Sequence, residues 1–128
     1  MNLYMANKLS QDRDTPQGWS TSVHCSYYAV FQYMKYLLAE KAEPIITYDE
    51  QNAHEGDSSH KFILEEIKTR IAASSFNEAR RIRDRINNLK HSRVEADYRD
   101  KVFTIEEALQ CKAEADGIIK NLKLYLSV

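Results

Sequence analysis

The stretch Ser20-Thr21-Ser22-Val23-His24-Cys25-Ser26-Tyr27-Tyr28-Ala29-Val30-Phe31-Gln32-Tyr33-Met34-Lys35-Tyr36-Leu37-Leu38-Ala39-Glu40 decides the fold class. Val23, Tyr27, Val30, Phe31, Met34, Leu37 and Leu38 recur at helical spacing, which puts them on one face of an α-helix. That apolar stripe is broad enough to face a core. Ser20 or Ser22 can cap its start with a side-chain oxygen. Pro44 ends the run, because the residue before a proline is pushed out of the α region. Upstream, Thr15-Pro16-Gln17-Gly18 reads as a turn, and residues 3–8 as a short N-terminal helix.

Downstream, residues 44–59 read as a loop, with 45–48 briefly extended and 52–59 polar and turn-rich. Ser58 or Ser59 can cap a third helix reaching about residue 73, with Phe62, Ile63, Ile67 and Ile71 inward. After Ser74-Ser75, the residues Phe76, Ala79, Ile82, Ile86 and Leu89 mark the inner face of a fourth helix, whose other faces carry Arg80, Arg81, Arg83, Arg85 and Lys90. Thr104-Ile105-Glu106-Glu107 is a capping box, in which hydroxyl and carboxylate each satisfy a free N–H. Ala108, Ala115, Ile119, Leu122 and Leu126 then continue inward to the C-terminus. Strand-period alternation is absent. The expected fold is therefore all-α. It is an up-and-down bundle of four main helices plus a short N-terminal one, in a single domain over residues 1–128, with the second and fourth helices central.

Composition points the same way. Three Gly and two Pro among 128 residues leave room for long helices. A hydrophobic share of 43% argues against disorder. No apolar run approaches the roughly 20 residues a membrane span needs, and Asn, Lys and Gln interrupt the start where a signal peptide would be apolar. A cytoplasmic protein with no membrane partner is expected. Cys25 and Cys111 lack metal spacing and read as buried free thiols. His54 and His60 share the loop before the third helix without a companion ligand, so no metal is expected. No cofactor motif is present either: there is no Gly-rich phosphate loop, GxSxG or HExxH. The net charge is −1, yet residues 68–101 hold ten Lys/Arg against five Asp/Glu. That local excess fits either a solvated helix face or an anionic partner.

A charged pair enters the core stripe. Extending the fourth helix by four residues from Leu89 reaches Arg93, and four more reach Asp97. Residues four apart lie only about 40° from each other around a helix, so both face the bundle. Charges placed there must be paired and hydrogen-bonded, or they cost several kcal/mol. They either satisfy each other structurally or line a cleft. A pair that satisfies itself needs no ligand, which favours the structural reading. Tyr98 follows directly. Tyr27, Tyr28 and Tyr33 come from the second helix, where half-buried tyrosines usually pack with one polar end in water. Beside an arginine they could also stack a base. His24 sits at the edge of the second stripe, one turn from Tyr28.

Ser22-Val23-His24-Cys25-Ser26-Tyr27-Tyr28-Ala29-Val30-Phe31 resembles the S-x-x-x-x-YYA-x-F signature of HEPN domains, and Arg93-Val94-Glu95-Ala96-Asp97-Tyr98 resembles their later R-x-x-A-D-Y signature. The His54-Glu55-Gly56 loop with Phe62 beyond it, and the helix starting at Glu106-Glu107-Ala108, fit the same order, so the resemblance spans residues 19–126. It implies a helical bundle that homodimerises and commonly partners a small nucleotidyltransferase in bacterial toxin–antitoxin pairs. Arg93, Asp97, Tyr98, His24 and Tyr28 are the expected cleft residues. Many members are metal-independent ribonucleases. They use an Arg, then four to six residues, then a His, where the Arg stabilises phosphorane charge and the His moves a proton.

This chain departs from that pattern, because Asp97 stands where nuclease members carry a histidine just before the tyrosine. Arg85 and His91 do match the catalytic spacing, yet a straight helix holds them about 120° apart. The expectation is a non-catalytic module that binds a nucleotide, RNA or a partner protein. The alternative is a ribonuclease acting through Arg85 and His91, or through Arg93 with a histidine from elsewhere.

Overall fold

A computed structural model describes residues 16–53, 57–98 and 103–126. The expected N-terminal helix at residues 3–8, and His54, lie outside them. Five α-helices are present among the described residues: α1 Pro16–Tyr36, α2 Tyr48–Asn52, α3 Asp57–Ala72, α4 Phe76–Tyr98 and α5 Ile105–Leu126. A π-helical turn, Leu37–Lys41, extends α1. The helices pack on one another as an all-α bundle with α1 at its centre. That helix meets α5 and α4 most extensively and α3 less, while α4 also packs on α3 and α5.

All seven residues of the α1 stripe are buried, from Val23 to Leu38. Six of them meet Ile63, Ile67 and Ile71 of α3, Ala79, Ile82, Ile86 and Leu89 of α4, and Ala115, Ile118 and Leu122 of α5 in one apolar cluster, while Val23 packs with Phe103 and Ala108 in a second. Because α1 is surrounded, even its small polar residues are covered. Ser22 and Ser26 are 0% exposed, and Ser26 Oγ donates to the Ser22 carbonyl at 2.9 Å, which satisfies the buried hydroxyl locally.

Several boundaries differ from the sequence reading. Helix α1 begins at Pro16, within the expected turn. Proline suits a first helical position, since its φ is preset and its missing N–H would have no partner there. In α5 the fully buried isoleucine is Ile118, with Ile119 half-buried at the core's edge. Phe76, expected inward, is 66% exposed. It is the first residue of α4, and a helical side chain leans toward the helix N-terminus. It therefore lies past the end of the core, beside Lys68 and Ala72 of α3 and Arg80 of α4.

The expected loop after α1 contains α2, opened by a capping box. Thr47 Oγ1 accepts from Glu50 N–H, and Glu50 Oε1 accepts from Thr47 N–H, both at 3.2 Å. Gln51, 0% exposed, donates through Nε2 to the carbonyls of Lys35 at 3.0 Å and Ile46 at 2.9 Å. Arg70 of α3 donates to the carbonyls of Ala42 at 2.7 Å and Pro44 at 2.6 Å. A helix end leaves carbonyls without internal partners, and these two side chains supply donors around the end of α1. The Thr104 capping box forms as expected, with both hydrogen bonds at 3.1 Å.

Candidate functional site

The α4 stripe delivers Arg93 to the core. Its side chain is 6% exposed, and Nη1 donates to Asp97 Oδ2 at 3.4 Å. The guanidinium also lies over two α1 rings, 5.3 Å from the Tyr27 centroid and 5.6 Å from that of Tyr28. Burial works to lower the Arg93 pKa, but Tyr28, Asp97 and Tyr27 together outweigh it, so the pKa is raised and the group stays charged.

Asp97 serves a second partner. Nδ1 of His24, from α1, lies 2.8 and 2.9 Å from its two carboxylate oxygens. An ionised carboxylate only accepts, so His24 Nδ1 carries the hydrogen. The His24 side chain is 37% exposed. The His24 ring leans on Tyr28, with centroids 4.6 Å apart. Four of the expected cleft residues, His24, Tyr28, Arg93 and Asp97, thus form one cluster. Tyr98 ends α4, and its side chain lies outside the described residues.

Arg85 and His91 have other partners. Arg85 Nε donates to Glu114 Oε1 at 2.5 Å, which ties α4 to α5. The Arg85 guanidinium rests on Gly117, where a Cβ would sit 2.7 Å from Nη2. The His91 side chain is 76% exposed, with Nε2 3.4 Å from Glu95 Oε1. These contacts give Arg85 a helix-docking role and leave His91 on an open surface.

The structure adds a histidine that sequence reading assigned to a loop. His60 lies in α3, one turn before Ile63 and Leu64, which brings it against α1. Its ring stacks on Phe31, centroids 4.2 Å apart, and its Nδ1 lies 2.6 Å from the Tyr27 hydroxyl. The signal available in the sequence was its spacing from Ile63 and Ile67, three and seven residues on, which continues the inward face upstream.

Beside His60 a cleft of about 370 Å³ opens between α1, α3 and α4. Its floor is Tyr27, Met34, Leu64 and Ile86; Lys61, Glu65, Arg83, Asn87 and Lys90 surround it together with His60. The positions 83, 87 and 90 share one face of α4, because they are four and three residues apart. Tyr27 joins the two parts of the site, since its ring lies under Arg93 and its hydroxyl reaches His60. Asparagine, arginine and two lysines over an apolar floor can donate to phosphate oxygens while the floor covers a ring. Among the described residues no group of three or more His, Cys, Asp and Glu is placed to hold a metal. None of their helices is long and apolar enough to cross a membrane.

No protein-family model, curated protein or solved structure matches the chain.

Proposed function

We propose that this chain is a HEPN-like module that binds a phosphate-bearing ligand, a nucleotide or RNA, without cutting it. The cleft carries the reading: Lys61, Arg83, Lys90 and Asn87 surround an apolar floor that includes Tyr27. Cations supply affinity for phosphate, and the floor offers surface to a base.

The non-catalytic half rests on chemistry at two places. Asp97 stands where the nuclease members carry their histidine, and it accepts from both His24 and Arg93. Arg85 is held by Glu114, and His91 pairs with Glu95. The proposal also includes, from the resemblance, a homodimer working in the cytoplasm with a nucleotidyltransferase partner of the toxin–antitoxin kind. The ring pair Tyr33 and Tyr36, centroids 5.9 Å apart with Tyr36 38% exposed, supports an aromatic interface.

The test is a titration with fluorescent adenosine diphosphate and with an RNA dinucleotide. Binding should weaken at higher salt and in Lys90→Ala and Lys61→Ala. Incubation with total RNA, free of metal, should yield no fragments. Failure of both ligands to bind overturns the binding half. Cleavage that disappears in His91→Ala overturns the other.

A further inference from the structure

Arg83 belongs to two hollows. Beyond the cleft, a second one of about 200 Å³ is lined by Lys68, Ala72, Phe76, Ala79, Arg80 and Arg83 itself. The two lie in line along the seam of α3 and α4 and together make a groove, with the Arg83 side chain between its halves. From Phe76 to Lys90 the groove follows fourteen residues of α4, or about 21 Å. Lys61 and Lys90 stand at one end, Arg83 in the middle, and Lys68 and Arg80 at the other. Among the described residues lining it, Glu65 carries the sole negative charge. Two cations hold surface ion pairs, Lys68 with Glu65 at 3.1 Å and Arg83 with Asp84 at 3.0 Å. Exposed pairs of this kind contribute little and exchange readily for phosphate.

Phe76 closes the far end with 66% of its surface open. A large apolar ring among cations does not resemble the core of a protein interface, from which charge is depleted. It does resemble a stacking platform, where an aromatic face takes a base while neighbouring cations follow the backbone. We infer that the α3–α4 groove binds a single-stranded nucleic acid, with phosphates along Lys90, Arg83 and Arg80 and one base stacked on Phe76. The inference rests on the reading of the cleft as a phosphate site, and extends it from a nucleotide to a strand. A duplex does not fit the same contacts, because its base faces are already stacked. The span matches the shortest single-strand sites, about four nucleotides.

Fluorescence anisotropy with a labelled single-stranded RNA 12-mer tests it, beside the dinucleotide and a 12-base-pair duplex. The 12-mer should bind at least tenfold more tightly than the dinucleotide. With three to five phosphate contacts, its affinity should fall with salt at a log–log slope of about −2 to −3.5. Phe76→Ala should weaken the 12-mer about tenfold, the lower range of one lost stacking contact, and leave the dinucleotide unchanged. Arg80→Ala should reduce the salt slope by about 0.7. A 12-mer that binds no better than the dinucleotide, or ignores Phe76→Ala, overturns the groove and leaves the cleft standing. Loss of dinucleotide binding by the native protein overturns the cleft itself. Polyglutamate of equal charge competing as well as the 12-mer overturns the strand reading, since charge alone is then recognised. A dimer that dissociates in Phe76→Ala assigns the ring to a second copy and overturns it too.

Discussion

Replacing Asp97 with alanine tests the arrangement around Arg93 most directly. The Arg93 side chain is 6% exposed and that of Asp97 20%. Removing the carboxylate takes one ionic partner from a buried guanidinium and frees His24 Nδ1 from both of its short contacts. Breaking a buried pair by deleting one partner costs about 3–5 kcal/mol. Two features place this pair near the lower figure: the Arg93–Asp97 contact is long at 3.4 Å, and the Tyr27 and Tyr28 rings still face the guanidinium. We expect a loss of about 3 kcal/mol, a large share of the 5–15 kcal/mol typical of a domain. With a urea slope of roughly 1.5 kcal/mol/M, the unfolding midpoint falls by about 2 M. Circular dichroism at 222 nm, in urea at pH 7, reads the shift. The double variant Arg93→Met/Asp97→Leu should recover most of the loss, because no charge is then left buried. An Asp97→Ala midpoint equal to the native one would refute the reasoning, as would a double variant no better than the single.

Four further expectations concern stability and thiol chemistry. Gln51→Ala removes both donors to the Lys35 and Ile46 carbonyls and should cost about 1–3 kcal/mol in urea unfolding. Gly117→Ala should leave the melting temperature unchanged or slightly raised. Alanine gains up to about 1 kcal/mol in a helix, and the obstacle is the mobile end of Arg85, whose part-exposed bond to Glu114 contributes about that much at most. Burial, with a smaller contribution from Asp97, pushes the Cys25 thiol pKa up, so Cys111 should react first with a thiol reagent in the native protein. The same shift fixes a sign for pH. Above the unfolded thiol value near 8.5 the unfolded chain loses a proton that folded Cys25 keeps, so this contribution to stability is present below that pH and declines as pH rises through the raised folded value. Alkaline urea titrations of native protein and Cys25→Ala should diverge in that direction.

The legible parts of the site were those that lie on one helix. Arg93 and Asp97 are four residues apart, so extending the α4 stripe was enough to pair them and to bury Arg93, while Asp97 stays at the exposed edge of the bundle. His24 could be placed at the edge of the α1 stripe, but its bond to Asp97 links residues 73 positions apart and has no local signal. His60 reads in the sequence as a loop histidine beside His54, and its bond to Tyr27, which links residues 33 positions apart, has no local signal either. The Arg85 and His91 spacing suggested chemistry, while the partner that occupies Arg85 sits 29 residues away on α5.

Helical periodicity over 128 residues with few breakers determined an all-α bundle from the sequence alone, along with the buried stripes of α1 and α4 and the Thr104 capping box. These depend on spacings of three and four residues, which any helix realises in the same way. Tertiary structure decided what no such spacing contains. It brought Tyr27, His60 and Lys90, from three helices, around one cleft, and set Gln51 and Arg70 against the end of α1. It also left Phe76 in the open at the end of its stripe. A stripe states which way a side chain points, but what it meets there depends on where the neighbouring helix begins and ends.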